Sequence, residues 1–230
     1  MVRLTSLVVA VLVLGFVTGL AQEEAPPEGP PTGPPPVLML EGDAENGATI
    51  VNQICSSCHG ESGNSPTAAF PRLAGQIEDY LAIQTWLFKI GARPSPIMAP
   101  VASALSDQEI VDAAAYLAAE TPSGQPFPDQ DAAAVERGAT VFHQGNVETD
   151  VIACAICHGR NGEGVAATGI PRIAGQSPTY LTQILNEFAM VPDFGNPFPN
   201  AMHIVASALT EEDMNAVVAY LANQPWGSSE

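Results

Sequence analysis

The chain has 230 residues, of which 46% are hydrophobic, and its 25 acidic residues outnumber 7 basic residues to give a net charge of −18 at pH 7. This charge repels nucleic-acid phosphates and anionic lipid, which argues against both as partners. The acidic residues either keep the protein soluble or dock it to a basic protein surface. The length allows one domain or two, and the apolar fraction is large enough to bury a core.

The first 21 residues have the pattern of an export signal. Arg3 supplies a short basic start, residues 4–20 are mostly apolar, and the final GLA resembles a small-x-small cleavage site. We expect cleavage after Ala21 and a periplasmic location. An uncleaved membrane anchor is the alternative, because the apolar run is near the lower length limit of a spanning helix. The proline-rich residues 22–38 are predicted to form a semi-rigid tether, which suits that alternative.

Most of the remaining chain is an internal repeat. CSSCHG at residues 55–60 recurs as CAICHG at 154–159, and FPRLAGQ at 70–76 recurs as IPRIAGQ at 170–176. VASALS at 101–106 then recurs as VASALT at 205–210, and AYLA follows in both halves, which indicates a duplicated domain. We assign a first domain to residues 39–122, a linker to 123–130, and a second domain to 131–226.

Each half has the sequence pattern of helices joined by loops. The first helices are predicted to begin near Asp43 and Asp131. The next long helices are predicted from Gln76 to about Ile90 and from Ser177 to about Met190. The last helices begin at the capping sequences SDQE and TEED and stop at Pro122 and Pro225. No alternating strand pattern is present, so the predicted fold class is all-α.

All four cysteines lie in two C-x-x-C-H motifs, formed by Cys55, Cys58 and His59 and by Cys154, Cys157 and His158. Two disulfides would suit an exported chain, but each would close a very small ring. Zinc would find only three ligands in each motif. C-x-x-C-H is the attachment signature of c-type haem, in which the histidine ligates the iron. The sequence therefore predicts two covalently bound haem c groups.

Methionines are the candidates for the second axial ligand of each iron. Met98 lies 18 residues before Tyr116, and Met202 lies 18 residues before Tyr220, so the repeat pairs them. A thioether ligand raises the reduction potential and suits electron transfer, whereas an open iron face suits catalysis. His203, next to Met202, is the competing ligand in the second half.

The motifs together resemble the dihaem cytochrome c-4 family over about residues 40–225. The resemblance rests on two C-x-x-C-H motifs, each followed by PR-[LI]-A-G-Q, a tyrosine, a methionine and a helix that ends in AYLA. It implies two tandem class I cytochrome c domains with His and Met iron ligands. It also implies a periplasmic electron carrier and not an enzyme.

The resemblance implies roles for residues around the haem. Pro71 and Pro171 are expected to accept a hydrogen bond from the ligand histidines, and Arg72 and Arg172 are expected to meet haem propionates. Four further residues either bond propionates or serve the fold at a helix start or in the core: Gln76, Gln176, Tyr80 and Tyr180. Two glycines are expected to let the first helix of each half cross the last, against a tyrosine: Gly47 and Gly138.

Two alternatives to a free carrier stay open. One is a haem subunit of a membrane oxidase or dehydrogenase complex, and the other is a dihaem peroxidase or thiosulfate-oxidising enzyme. The expected partners are redox proteins, with a quinol–cytochrome c reductase and a terminal oxidase as candidates.

The two halves also differ. The second half carries eight extra residues, HQGNVETD at 143–150, which form a partner's docking site or a surface loop. Haems in unlike surroundings are expected to titrate at separate potentials.

Overall fold

The computed structural model describes residues 34–190 and 199–227. Within these residues the chain forms α-helices and short helical turns with isolated β-bridges and no β-strand, so the predicted all-α class is confirmed. None of the helices in this part of the chain is long and apolar enough to cross a membrane. The predicted signal or anchor, and the tether up to residue 33, lie outside the described residues.

The first unit contains five α-helices: α1 (Ala44–Ile50), α2 (Ser56–His59), α3 (Glu78–Lys89), α4 (Met98–Ser103) and α5 (Asp107–Ala119). The carboxylate of Asp43 caps α1 by accepting from the backbone amides of Glu45 and Asn46. Ser106 and Glu109 form a capping box at the start of α5. Both starts agree with the sequence prediction.

The described part of the second unit contains five more: α6 (Ala132–Gln144), α7 (Ala155–His158), α8 (Pro178–Met190), α9 (Pro199–Ala208) and α10 (Glu211–Ala222). Asp131 caps α6, and Thr210 caps α10 by accepting from the amide of Asp213. The extra residues of this unit extend α6 by two residues and then form a hairpin turn, closed by paired backbone hydrogen bonds between Asn146 and Val151.

In each unit the first helix crosses the last at very short range. A Cβ atom on Gly47 would lie 1.9 Å from the carbonyl oxygen of Asp112, and one on Gly138 would lie 2.0 Å from that of Ala216. Tyr116 and Tyr220 pack beside these crossings, as predicted. Only glycine allows two backbones to approach so closely, because any other residue would place its Cβ inside the neighbouring helix.

The two units have separate apolar cores that meet at Phe188. Val51, Leu87 and Ile110 are among the residues of the first core, and Phe142 is the largest fully buried side chain of the second. Phe188 on α8 packs against both cores. The second unit therefore contributes a side chain to the packing of the first.

The segment that joins the units is packed against the protein. The amide of Phe127 donates to the carbonyl of Ala222 at 2.9 Å, and the amide of Trp226 donates to that of Gly124 at 3.0 Å. In the first unit, Asn64 binds the backbone of Thr121 and Ser123 through its side chain. The connection thus makes hydrogen bonds with both units.

The helix crossing gives the first prediction. Gly47→Ala should lower the free energy of unfolding by at least about 2 kcal/mol, because the added methyl group forces α1 and α5 apart. Chemical denaturation followed by circular dichroism measures this change. Thr49→Ala, at an exposed position on the same helix, is the control and should change stability by less than about 0.5 kcal/mol. Equal effects of the two substitutions would contradict the account of the crossing.

Candidate functional site

Both C-x-x-C-H motifs form one short helical turn that directs the histidine inward. The turns α2 and α7 end at Gly60 and Gly159, which have φ angles of 80° and 83°. His59 and His158 are each 7% exposed. The chain leaves the turn immediately after each histidine, so the imidazole stays inside while the chain continues along the surface.

Each histidine is held by a proline carbonyl. The distance from Nδ1 of His59 to the carbonyl oxygen of Pro71 is 2.9 Å, and that from Nδ1 of His158 to the carbonyl oxygen of Pro171 is 3.0 Å. A carbonyl can only accept, so Nδ1 carries the proton and Nε2 keeps its lone pair. These are the contacts that the family resemblance implies for the two prolines.

Burial sets the protonation of the ring and of the thiols. It lowers the pKa of His59 and of His158, against a smaller opposing effect of the proline carbonyls, and so favours the neutral imidazole. Burial also raises the pKa of Cys55 and of Cys154 to about 11. No disulfide joins the four motif cysteines. The motif therefore combines uncharged thiols with an imidazole able to ligate a metal through Nε2.

The matched methionines lie on corresponding helices. Met98 begins α4, and its amide donates to the hydroxyl of Ser95 at 3.0 Å. Met202 lies in α9 and packs against the second core. The ring of His203, the competing ligand, contacts the backbone of α8, with Nδ1 2.8 Å from the carbonyl oxygen of Phe188. Residues 191–198, which lead into α9, are outside the described residues.

The structure gives Arg72 partners other than the predicted propionate. Arg72 is 4% exposed, and its guanidinium donates to the carbonyls of Gly175 at 2.7 Å, Gln125 at 2.8 Å and Ser65 at 3.3 Å. It also lies 4.3 Å from the centre of the Phe127 ring. Arg72 therefore binds the first unit, the linker and the second unit together.

Arg172 makes the reciprocal contact in the opposite direction. Its Nε donates to the carbonyl of Gly75 at 3.3 Å, and its guanidinium lies 5.6 Å from the Trp226 ring centre. Sequence reasoning missed that each arginine reaches across to the glycine of the other unit's A-G-Q segment. The propionate contact of both arginines stays a prediction.

Gln76 and Gln176 occupy matching positions of the repeat, and the side chain of each pairs with the backbone of an arginine in the other unit. We call this pair of contacts the reciprocal exchange between the units. Gln176 accepts from the amide of Arg72 at 2.8 Å and donates to its carbonyl at 2.9 Å. Gln76 does the same for Arg172, with both distances 2.8 Å. Of the two alternatives for these glutamines, the structure provides direct support for the architectural one.

Two half-buried tyrosines and a buried arginine form a polar cluster beside this exchange. The hydroxyls of Tyr80 and Tyr180 lie 3.1 Å apart, and burial, with a smaller effect of Tyr180, raises the pKa of Tyr80 well above its usual value. Arg93, 2% exposed, binds Glu187 on α8 at 3.1 Å and Gln84 on α3 at 2.8 Å. Sequence reasoning also missed Arg93, although an arginine without a counterpart in the second unit, in a chain of only 7 basic residues, was an available signal.

Comparison with known proteins establishes the family. The second unit matches the family described as "Cytochrome c" over residues 135–225, and the first matches "Cytochrome C oxidase, cbb3-type, subunit III" over residues 42–117. Cytochrome c4 of Pseudomonas aeruginosa is 35% identical to the chain over 181 residues, which cover 78% of this chain and 88% of that protein. The chain belongs to the cytochrome c4 family.

Two further matches agree with membership of the cytochrome c4 family. The thiosulfate dehydrogenase electron acceptor of Stutzerimonas stutzeri is 38% identical over 185 residues, covering 78% of this chain and 82% of that protein. Reduced recombinant cytochrome c4 from Pseudomonas stutzeri superposes with a TM-score of 0.69 at 33% identity, covering 80% of this chain and 99% of that one. The predicted fold of two tandem class I cytochrome c units is thereby confirmed.

As a cytochrome c4 homologue, the chain carries two covalently bound haem c groups and is an electron-transfer protein and not an enzyme. The residues present fit the group. Each unit offers two thiols about one helical turn apart and a buried neutral imidazole whose Nδ1 is engaged and whose Nε2 is left for iron. Covalent haem replaces the disulfide and zinc alternatives for the four cysteines.

The arginine contact between the units gives the second prediction. Arg72→Ala should lower the free energy of unfolding by about 2–4 kcal/mol, because it leaves buried carbonyls without a donor. Denaturant titration of the two-haem protein, monitored by circular dichroism, measures the loss. Arg160→Ala removes an exposed arginine of the second unit and should change stability by less than about 0.5 kcal/mol. A denaturation curve of Arg72→Ala that overlays that of Arg160→Ala would show that the contacts of Arg72 do not stabilise the protein.

Proposed function

We propose that the chain is a periplasmic carrier that passes single electrons between redox proteins, with His59 and Met98 ligating one iron and His158 and Met202 the other. The observation that carries this proposal is the repeated geometry of a buried neutral imidazole, held by a proline carbonyl and preceded by two thiols. Cys55 and Cys58, and Cys154 and Cys157, are the proposed attachment residues. The proposed domains are residues 39–122 and 131–226, joined by 123–130.

The bound haem supplies the one-electron couple, and the chain's residues determine how it works. The carbonyls of Pro71 and Pro171 orient the imidazoles and increase their basicity as ligands. The thioether bonds would fix each group against a packed core, and the methionine sulfurs would raise the potentials. With a histidine and a methionine as ligands, each iron would offer no site to a substrate, which suits transfer of electrons without bond chemistry.

The proposed electron donor is a dehydrogenase. Support comes from the relative named thiosulfate dehydrogenase electron acceptor, which shares 38% identity over 185 residues. A quinol–cytochrome c reductase as donor and a terminal oxidase as acceptor are the further candidates. The match of residues 42–117 to an oxidase subunit family favours, as a second candidate function, a haem subunit of an oxidase complex.

Periplasmic location is proposed from the basic residue, apolar run and small-residue site at the start of the chain. The same segment would direct the export that a periplasmic cytochrome needs. A membrane tether through an uncleaved segment would require residues 1–21 to remain in the mature protein.

The methionine assignment gives the third prediction. The oxidised two-haem protein should show the near-infrared methionine-to-iron charge-transfer band at two-haem intensity and no high-spin band. Met98→Ala and Met202→Ala should each remove about half of the band, because each leaves one iron without its sulfur ligand. Absorption spectroscopy of the purified variants measures this loss.

Met190→Ala is the matched control, since Met190 is an exposed methionine of the second unit that has no methionine counterpart in the first. Its spectrum should equal that of the unsubstituted protein. A full band in Met202→Ala, together with an altered spectrum in His203→Ala, would assign the ligand to His203 and overturn the assignment of Met202.

A further inference from the structure

Two exposed positions beside the C-x-x-C-H motifs are apolar in the second unit and polar in the first. Aligning Cys154 with Cys55 pairs Ile152 with Gln53 and Ile156 with Ser57. Ile152 is 53% exposed and Ile156 is 74% exposed, and their polar counterparts are exposed as well. The same two surface positions therefore carry isoleucine in one unit and an amide or a hydroxyl in the other.

The hairpin that only the second unit possesses adds a third apolar side chain. Val147 is 90% exposed at the start of the loop closed by the Asn146–Val151 pair. This pair leads directly into Ile152, so the three aliphatic side chains belong to one continuous segment, residues 147–156. Single exposed aliphatic residues are common, whereas three within ten residues of a protein with a net charge of −18 indicate an interaction surface.

This surface lies next to the proposed haem attachment. Ile156 stands between Cys154 and Cys157 in α7, two residues before His158. Successive residues of a helix are about 100° apart, so a residue two positions away faces the opposite side. Ile156 thus points to solvent while His158 points inward. A partner that covers Ile156 comes within one helical turn of both proposed attachment residues.

The charges around the patch define the partner's chemistry. Glu148 and Asp150 follow Val147 in the hairpin and are exposed, and Glu163 lies farther along the same surface segment. Arg160 is the one arginine or lysine in residues 143–163, and the whole chain carries a charge of −18. A partner with an apolar centre ringed by lysine and arginine complements both the aliphatic side chains and the acids.

We propose that residues 147–156 form the docking surface for a basic redox protein, and that electrons enter or leave this cytochrome through its second unit. The proposal rests on the proposed electron-carrier function. In the exchange, one electron leaves the reduced protein and enters the oxidised one, and no bond is made or broken. The apolar contact brings the two redox groups close, and the charges orient the partner.

A stopped-flow experiment on the two-haem protein tests the proposal. The probe is a purified lysine-rich monohaem cytochrome c, and the second-order rate constant of electron transfer is measured at several salt concentrations. Ile152→Gln combined with Ile156→Ser gives the second unit the residues of the first. We expect this variant to react at least about fivefold more slowly than the unsubstituted protein, with a rate that falls as salt rises.

Two controls separate docking from other effects. Met39→Gln alters a methionine that is 76% exposed in the first unit and should leave the rate unchanged. Reduction by hexaammineruthenium(II), which needs no apolar contact, should proceed equally in all variants. Equal rates of the double variant and the unsubstituted protein with the cytochrome probe would overturn the proposal, as would an equal loss in Met39→Gln.

The remaining outcomes are also decisive. A parallel loss with hexaammineruthenium(II) would show an altered haem environment and overturn the docking role. Sedimentation that reveals a dimer abolished by the double substitution would assign the patch to a second copy of this chain instead. If the unsubstituted protein accepted no electrons even from hexaammineruthenium(II), the electron-carrier function itself would be refuted. That result differs from a slower reaction with the cytochrome probe alone.

Discussion

The reciprocal exchange between Arg72 and Gln176 and between Gln76 and Arg172 is the interaction on which the arrangement of the molecule depends. Each glutamine side chain pairs with the backbone amide and the backbone carbonyl of one arginine, as a neighbouring β-strand would. The two glutamines together contribute four hydrogen bonds between the units. The residue before each arginine is the proline whose carbonyl holds the histidine. The peptide group between each proline and its arginine thus takes part in both contacts: its carbonyl holds the proposed iron ligand, and its amide donates to the glutamine of the other unit.

The two units are alike where they meet and unlike elsewhere. The arginine, glutamine and tyrosine contacts are matched across the interface, whereas the Arg93–Glu187 ion pair has no equivalent in the other direction. Beyond the interface, the hairpin closed by Asn146 and Val151 occurs only in the second unit. A duplicated fold can in this way keep a fixed distance between two redox centres while their outer surfaces adapt to different partners.

Local features of the chain could be predicted from sequence because their causes are local. Asp43 and Ser106 cap the helices that they precede, and the closeness of the crossing at Gly47 follows from the missing side chain. The partners of Arg72 could not be predicted, because Gly175 is 103 residues away and becomes a neighbour only when the units pack. The propionate contacts and the methionine ligands stay predictions, since they depend on the haem as well as on the chain.

We expect the exchange to unite both haem units into one cooperative folding unit, and differential scanning calorimetry measures this cooperativity. The two-haem protein should unfold in a single transition, with calorimetric and van't Hoff enthalpies in a ratio of about 1. Combined substitution Gln76→Ala and Gln176→Ala should split it into two transitions, because each unit retains its own core. Two separate transitions in the unsubstituted protein, or one unchanged transition in the double variant, would show that the exchange does not unite the units.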